Sequence, residues 1–79
     1  MSERNENIGR RETLRRTQKT LLAEIRSHRE SIRAALPVGG EENDIDGDYL
    51  ISLAVGINER LAELRGVMQK ITILDRELD

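Results

Sequence analysis

The sequence predicts an all-α fold: an antiparallel two-helix hairpin of coiled-coil character that pairs with a second copy into a four-helix bundle. Three observations lead there. Apolar residues recur every seven positions over two long stretches, a single Pro-Gly-Gly break separates the stretches, and the two halves of the chain carry opposite net charge. Residues 9–79 are expected to form one helical-hairpin domain, with a helix over 9–36, a turn over 37–44 and a helix over 45–78. Residues 1–8, almost all polar, are expected to be a flexible tail.

In the first helix Leu14, Leu21, His28 and Ala35 form one column and Gln18, Ile25 and Ile32 a second. Gln18 and His28 interrupt this seam, and polar residues at such positions commonly fix register or oligomeric state, here by pairing across a dimer. The helix must end before Pro37, which lacks an N–H and disfavours helical geometry at Leu36, and Gly39-Gly40 follows at once. The acidic run from Glu41 to Asp48 then offers carboxylate acceptors to the free N–H groups of a new helix, with Asp44, Asp46 and Asp48 all eligible as N-cap.

The second helix has the stronger repeat. Leu50, Ile57, Leu64, Ile71 and Leu78 lie seven apart without a miss, and Ala54, Leu61 and Met68 are expected to fill the alternate column of the seam. Leu53, Arg60, Val67 and Leu74 form a third column, read as lying outside it. Gly56 and Gly66 either permit close helix approach or a bend, or are simply tolerated.

Residues 1–36 hold nine Arg or Lys against five Glu, and residues 37–79 four against ten Asp or Glu. Arg10, Arg11, Arg15 and Arg16 open the first helix, while Asp75, Glu77 and Asp79 close the second. Each cluster opposes its own helix dipole, so an antiparallel arrangement lets the clusters offset one another. Exposed ion pairs contribute only about 0–1 kcal/mol each, so charge selects orientation while the apolar seam supplies stability. A lone hairpin of this size buries little, and with no cysteine there is no disulfide to staple it. Self-association into a homodimer, or a tetramer, is the expected remedy, with Leu53, Val67 and Leu74 at the second interface.

Composition excludes several functions. Tyr49 is the sole aromatic residue, which argues against base-stacking nucleic-acid surfaces. One His, no Cys and so small a chain leave catalysis without a nucleophile, a base or a pocket, so no enzyme, cofactor or small-molecule substrate is expected. The polar start lacks the apolar core of a signal peptide, and residues 49–57, the longest mostly apolar run, fall far short of the roughly 20 needed to span a bilayer. A cytoplasmic location with no membrane association is expected. Glu42-x-Asp44-x-Asp46-Gly47-Asp48 matches the first half of a calcium loop, but the position where a bidentate Glu should follow is Leu53, so an acidic turn is the better reading. His28 has no second His or Cys to make a metal site, and Glu59 and Glu63 are flanked by Arg60 and Arg65 on a solvated face.

Two binding modes remain. In the first, apolar columns rimmed by Arg and Glu meet another protein through Leu22, Arg26, Arg29, Arg33 and Leu36 on the first helix and Leu53, Arg60, Val67 and Leu74 on the second. In the second, Arg10, Arg11, Arg15, Arg16 and Lys19 from both subunits of a dimer contact nucleic-acid phosphates; the acidic balance of the chain makes this the lesser reading. A structural or chaperone subunit of a larger assembly is a third use of the same architecture. In its two-helix layout, and in the stretch Glu24-Ile25-Arg26-Ser27-His28-Arg29, the chain resembles the small helical antagonists of phages and plasmids, such as phage antirepressors and TraM-type antiactivators. That resemblance implies a regulator that sequesters a transcription factor by direct binding.

Overall fold

The computed structural model describes residues 2–37 and 39–79. Met1, at the start of the expected tail, and Val38, within the expected turn, lie outside the described residues. Two helices, α1 (Glu3–Ala35) and α2 (Gly47–Leu78), run antiparallel, joined by a turn that includes one 3-10 turn over Glu42–Asp44. No strand occurs among the described residues. The molecule measures 61 × 17 × 14 Å, and its radius of gyration of 18.1 Å contrasts with about 12 Å for a compact domain of this length.

α1 starts well before residue 9, so the segment expected to be a flexible tail is helical from Glu3. Ser2 caps it, its hydroxyl accepting from the Asn5 N–H at 3.3 Å, and Glu3 and Glu6 place negative charge at the positive end of the dipole. The extension also has a partner: Arg4 donates to the Leu78 carbonyl at 3.1 Å and Asn7 to the Glu77 carboxylate at 3.4 Å. Two helices of 33 and 32 residues thereby match in length, whereas a start at residue 9 would leave the last turns of α2 uncovered.

The break falls where proline requires it. α1 ends at Ala35, and the Leu36 N–H closes its last turn on the Ile32 and Arg33 carbonyls. Gly39 and Gly40 have φ of 105° and 88°, a region that side chains disfavour, and they reverse the chain. Of the three eligible aspartates, Asp46 is the N-cap, its carboxylate accepting from the Tyr49 N–H at 3.0 Å, and Gly47 is the first helical residue.

Cross-helix contacts set the register. Asn7 meets Glu77, Arg11 meets Asp75, Glu24 meets Arg60 and His28 packs on Gly56, so a step of seven along α1 is a step of seven back along α2. Leu14, Leu21 and His28 thus lie opposite Ile71, Leu64 and Ile57. Burial is thin: only Leu21, Val67, Leu74 and Leu78 fall below a tenth exposed among the described residues.

This burial corrects one expectation. Val67 and Leu74 are core residues and Leu53 and Arg60 are half-buried, so their column belongs to the seam, while Ala54 and Met68 are exposed. The heptad repeat accommodates either alternate column, and the facing helix decides between them. Glu24 stands opposite Arg60 at 2.7 Å and satisfies the one charge in the buried column, leaving Leu53, Val67 and Leu74 free to pack. Asp75, which continues the Ala54 column, stays at the edge, where Arg11 and Arg15 reach it.

At His28 and Gly56 a side chain of α1 packs directly on the backbone of α2. The His28 Nδ1 bonds to the Glu24 carbonyl at 3.0 Å, and a β-carbon on Gly56 would stand 2.8 Å from Nε2. Gly56 therefore permits close approach. Gly66 faces open space and has no such role.

Candidate interaction surface

A two-helix rod has two long sides flanking its seam, and here they differ in chemistry. Arg11 and Arg15 of α1 both donate to Asp75 of α2, at 3.1 and 3.4 Å, which places all three on one side. Stepping by seven from these residues assigns Gln18, Ile25 and Ile32, and then Leu22, Arg29 and Leu36, to that side of α1. The same step from Asp75 assigns Met68, Leu61 and Ala54 of α2, with Ile51, Asn58, Arg65 and Thr72 one column further out.

Half of the large apolar side chains left exposed among the described residues converge on this arginine side. Leu22, Leu36 and Met68 are each 48% exposed and Ile51 64%, and the half-buried Ile25, Ile32 and Leu61 lie between them. Along its α1 edge run Arg15, Lys19, Arg26, Arg29 and Arg33, all exposed, and Arg65 stands on the α2 edge. The carboxylates on this side are Asp75, already engaged by two arginines, Glu12 near one end and Asp79 just past the end of α2. Glu30, on the back of α1, approaches Arg33 at 3.7 Å and Arg29 at 3.9 Å, distances that leave most of each guanidinium free to donate.

The opposite side is mixed and predominantly acidic. Glu59, Glu63 and Glu77 share it with Arg10 and Lys70. It holds a shallow groove in which Arg10, Thr13 and Leu14 face Lys70, Ile73 and Leu74. Glu24 is tied to Arg60, which also donates to the Gly56 carbonyl at 3.0 Å.

The expected protein-binding residues thus divide into two groups. Leu22 and Leu36 stand exposed on the arginine side, with Arg29 in their column and Arg26 and Arg33 at the outer edge. Leu53, Arg60, Val67 and Leu74 are covered by α1 and do not join them. The expected phosphate-contacting set is also dispersed. Arg11 and Arg15 bind Asp75, Arg16 donates to the Thr13 hydroxyl, away from the arginine side, Arg10 lies on the opposite side, and Lys19 stands on the edge of the arginine side. Met68, Ile51 and Arg65 were missed by sequence reasoning. The spacing that includes Met68 is plain in the sequence, but periodicity alone places that column in the seam.

Among the described residues no three His, Cys, Asp or Glu side chains gather where they could hold a metal ion, and no helix is long and apolar enough to cross a membrane. Set beside protein-family models, curated proteins and solved structures, the chain matches none of them.

Proposed function

We propose that this chain is a protein-binding regulator rather than an enzyme, and that it acts in the cytoplasm by covering a surface of another protein, with a transcription factor as the class of target. One observation carries the reading: four large apolar side chains, Leu22, Leu36, Ile51 and Met68, lie exposed together on one side of the hairpin with arginines around them. Solvated surfaces tolerate scattered apolar residues, whereas a contiguous apolar strip with a polar rim is the usual anatomy of an interface. Arginine at the rim adds bidentate donors for a partner's carboxylates. The resemblance in layout to phage and plasmid antagonists points the same way.

Pairing of two hairpins into a four-helix bundle is a competing use of the same side, now that Leu53, Val67 and Leu74 are occupied within one chain. The test is affinity capture from native cells with half of the sample treated with nuclease, run in parallel with a variant carrying Leu22→Glu and Met68→Glu. One stoichiometric protein that survives nuclease and is lost from the variant supports the reading. Material that disappears with nuclease moves the function to nucleic acid, and a partner that the variant retains refutes this use of the surface.

A further inference from the structure

The arginine side has a property that its apolar content alone does not convey: its cations outnumber its carboxylates. Its rim is cationic along the whole of one edge, through Arg15, Lys19, Arg26, Arg29 and Arg33, and Arg65 stands across from them. The surplus carboxylates of the chain lie elsewhere, in the connecting turn at Glu41, Glu42 and Asp44 and on the opposite side at Glu59, Glu63 and Glu77. Although Asp75 engages Arg15 and Glu30 approaches Arg29 and Arg33, cations in excess around an apolar strip favour an acidic occupant.

Geometry then selects among occupants. A second copy can lie face to face on this side in two symmetric ways. A two-fold axis across the helices brings the α1 edge against its own equivalent, cation against cation. An axis along the helices brings the α1 edge against the α2 edge, whose outer column, Ile51, Asn58, Arg65 and Thr72, reaches a carboxylate only at Asp79, past the end of α2. Against six rim cations on each copy, these arrangements offer as carboxylates only Glu12, Asp79 and the already engaged Asp75. Stacking the arginine side on the opposite side of another copy would supply more, but that contact is heterologous and leaves a sticky face at each end. Nucleic acid answers the charge but not the strip, because Leu22, Leu36, Ile51 and Met68 offer no donor to a phosphate and no ring to a base.

We propose that the arginine side of the hairpin docks an acidic amphipathic helix of another protein, its apolar face seated on Leu22, Leu61 and Met68 and its flanking Asp and Glu residues received by Arg15, Arg26, Arg29 and Arg33. From Leu22 to Leu36 the strip runs fourteen residues, or about 21 Å at 1.5 Å per residue, so the docked helix is about four turns long. This rests on the protein-binding reading above and adds to it the sign of the partner's charge and the form of its contact.

The probe is a labelled sixteen-residue synthetic helix with Leu at i, i+4, i+7 and i+11 and Glu at the flanking positions. Its control is the same peptide with Lys for Glu, alongside a short DNA duplex, and each is titrated with the full chain by fluorescence anisotropy at low and high salt. The Glu peptide is expected to bind at least about tenfold tighter than the Lys peptide, with the preference shrinking as salt rises. Arg29→Glu with Arg33→Glu, both at exposed positions, is expected to reverse the preference, and Leu22→Glu to abolish binding of the Glu peptide while the helical circular dichroism spectrum is retained. Equal binding of the two peptides, or an unchanged preference after charge reversal, overturns the proposal. Tighter binding of the duplex than of the Glu peptide assigns the surface to nucleic acid, and a concentration-dependent dimer dissolved by Leu22→Glu assigns it to a second copy; both overturn it. If the peptides are not distinguished but the native partner is still lost with Leu22→Glu and Met68→Glu, the acidic-helix proposal alone falls. If that partner is retained as well, the protein-binding reading falls with it.

Discussion

Gly56 and Gly66 lie on the same helix, and alanine at each is expected to move stability in opposite directions. Replacing a mid-helix glycine by alanine restricts the unfolded chain and stabilises by up to about 1 kcal/mol where the new methyl meets nothing. Gly66 satisfies that condition, since a β-carbon there has no neighbour within 4 Å. At Gly56 the same methyl stands 2.8 Å from His28 Nε2 and 3.1 Å from Cδ2, closer than packed carbon and nitrogen atoms tolerate. The imidazole must turn away, which breaks its 3.0 Å bond to the Glu24 carbonyl, at about 0.5–1.5 kcal/mol, and overpacks the seam, at about 1–3 kcal/mol. After a gain in helix propensity of about 1 kcal/mol, Gly56→Ala is expected to lose about 0.5–3.5 kcal/mol. Thermal unfolding by circular dichroism at one fixed protein concentration reads both variants, and a chain of this size shifts by about 4–8 °C per kcal/mol. Gly66→Ala should melt higher than wild type and Gly56→Ala lower, and adding His28→Ala should recover part of the Gly56→Ala loss through non-additivity. Equal stabilisation by both alanines would refute the close approach between α1 and α2 and the register derived from it.

Two further outcomes follow from the helix caps and the seam. Asp46→Ala removes the carboxylate that accepts from the Tyr49 N–H and should cost about 1 kcal/mol in urea unfolding, whereas Asp44→Ala, outside the cap, should cost much less. A double-mutant cycle over Glu24→Ala and Arg60→Ala should return a coupling of roughly 0.5–1 kcal/mol, above an ordinary surface pair because the bond is 2.7 Å long and partly buried, yet limited by the exposure that both groups retain. A coupling near zero would show that the pair does not select which α2 column packs against α1.

The hairpin was legible in the sequence because its determinants are local and redundant. Pro37 and Gly39-Gly40 force the break whatever surrounds them, and the Leu50 column repeats over the whole of α2. The opposed charge clusters were legible too, and Arg11 and Arg15 on Asp75 are their physical form. What escaped prediction depends on the facing helix. Ser2 with Glu3 and Glu6 is a capping pattern, but its worth is set by Arg4 and Asn7 finding the end of α2. Likewise the Leu53 and Ala54 columns are equivalent by periodicity, and only Glu24 opposite Arg60 favours the first. That choice decided the candidate surface as well: it covered Leu53, Val67 and Leu74 and exposed Met68.

The distribution of burial along the rod bears on how the chain folds. Helix pairing is cheapest to begin beside the turn, yet the residues that α1 covers most completely, Val67, Leu74 and Leu78, lie toward the far end of α2. Joining Glu24 to Arg60 closes a separation of 36 residues, and joining Arg4 to Leu78 closes 74, about one doubling, which adds only about 0.6 kcal/mol of loop entropy. Each well-covered leucine contributes about 1.5–3 kcal/mol in return. A partly zipped rod, paired near the turn and open beyond it, has met most of the loop-closure cost without reaching its best packing. Such intermediates are unstable relative to both ends, so a structure with the outline of a zipper should fold and unfold as a single cooperative unit.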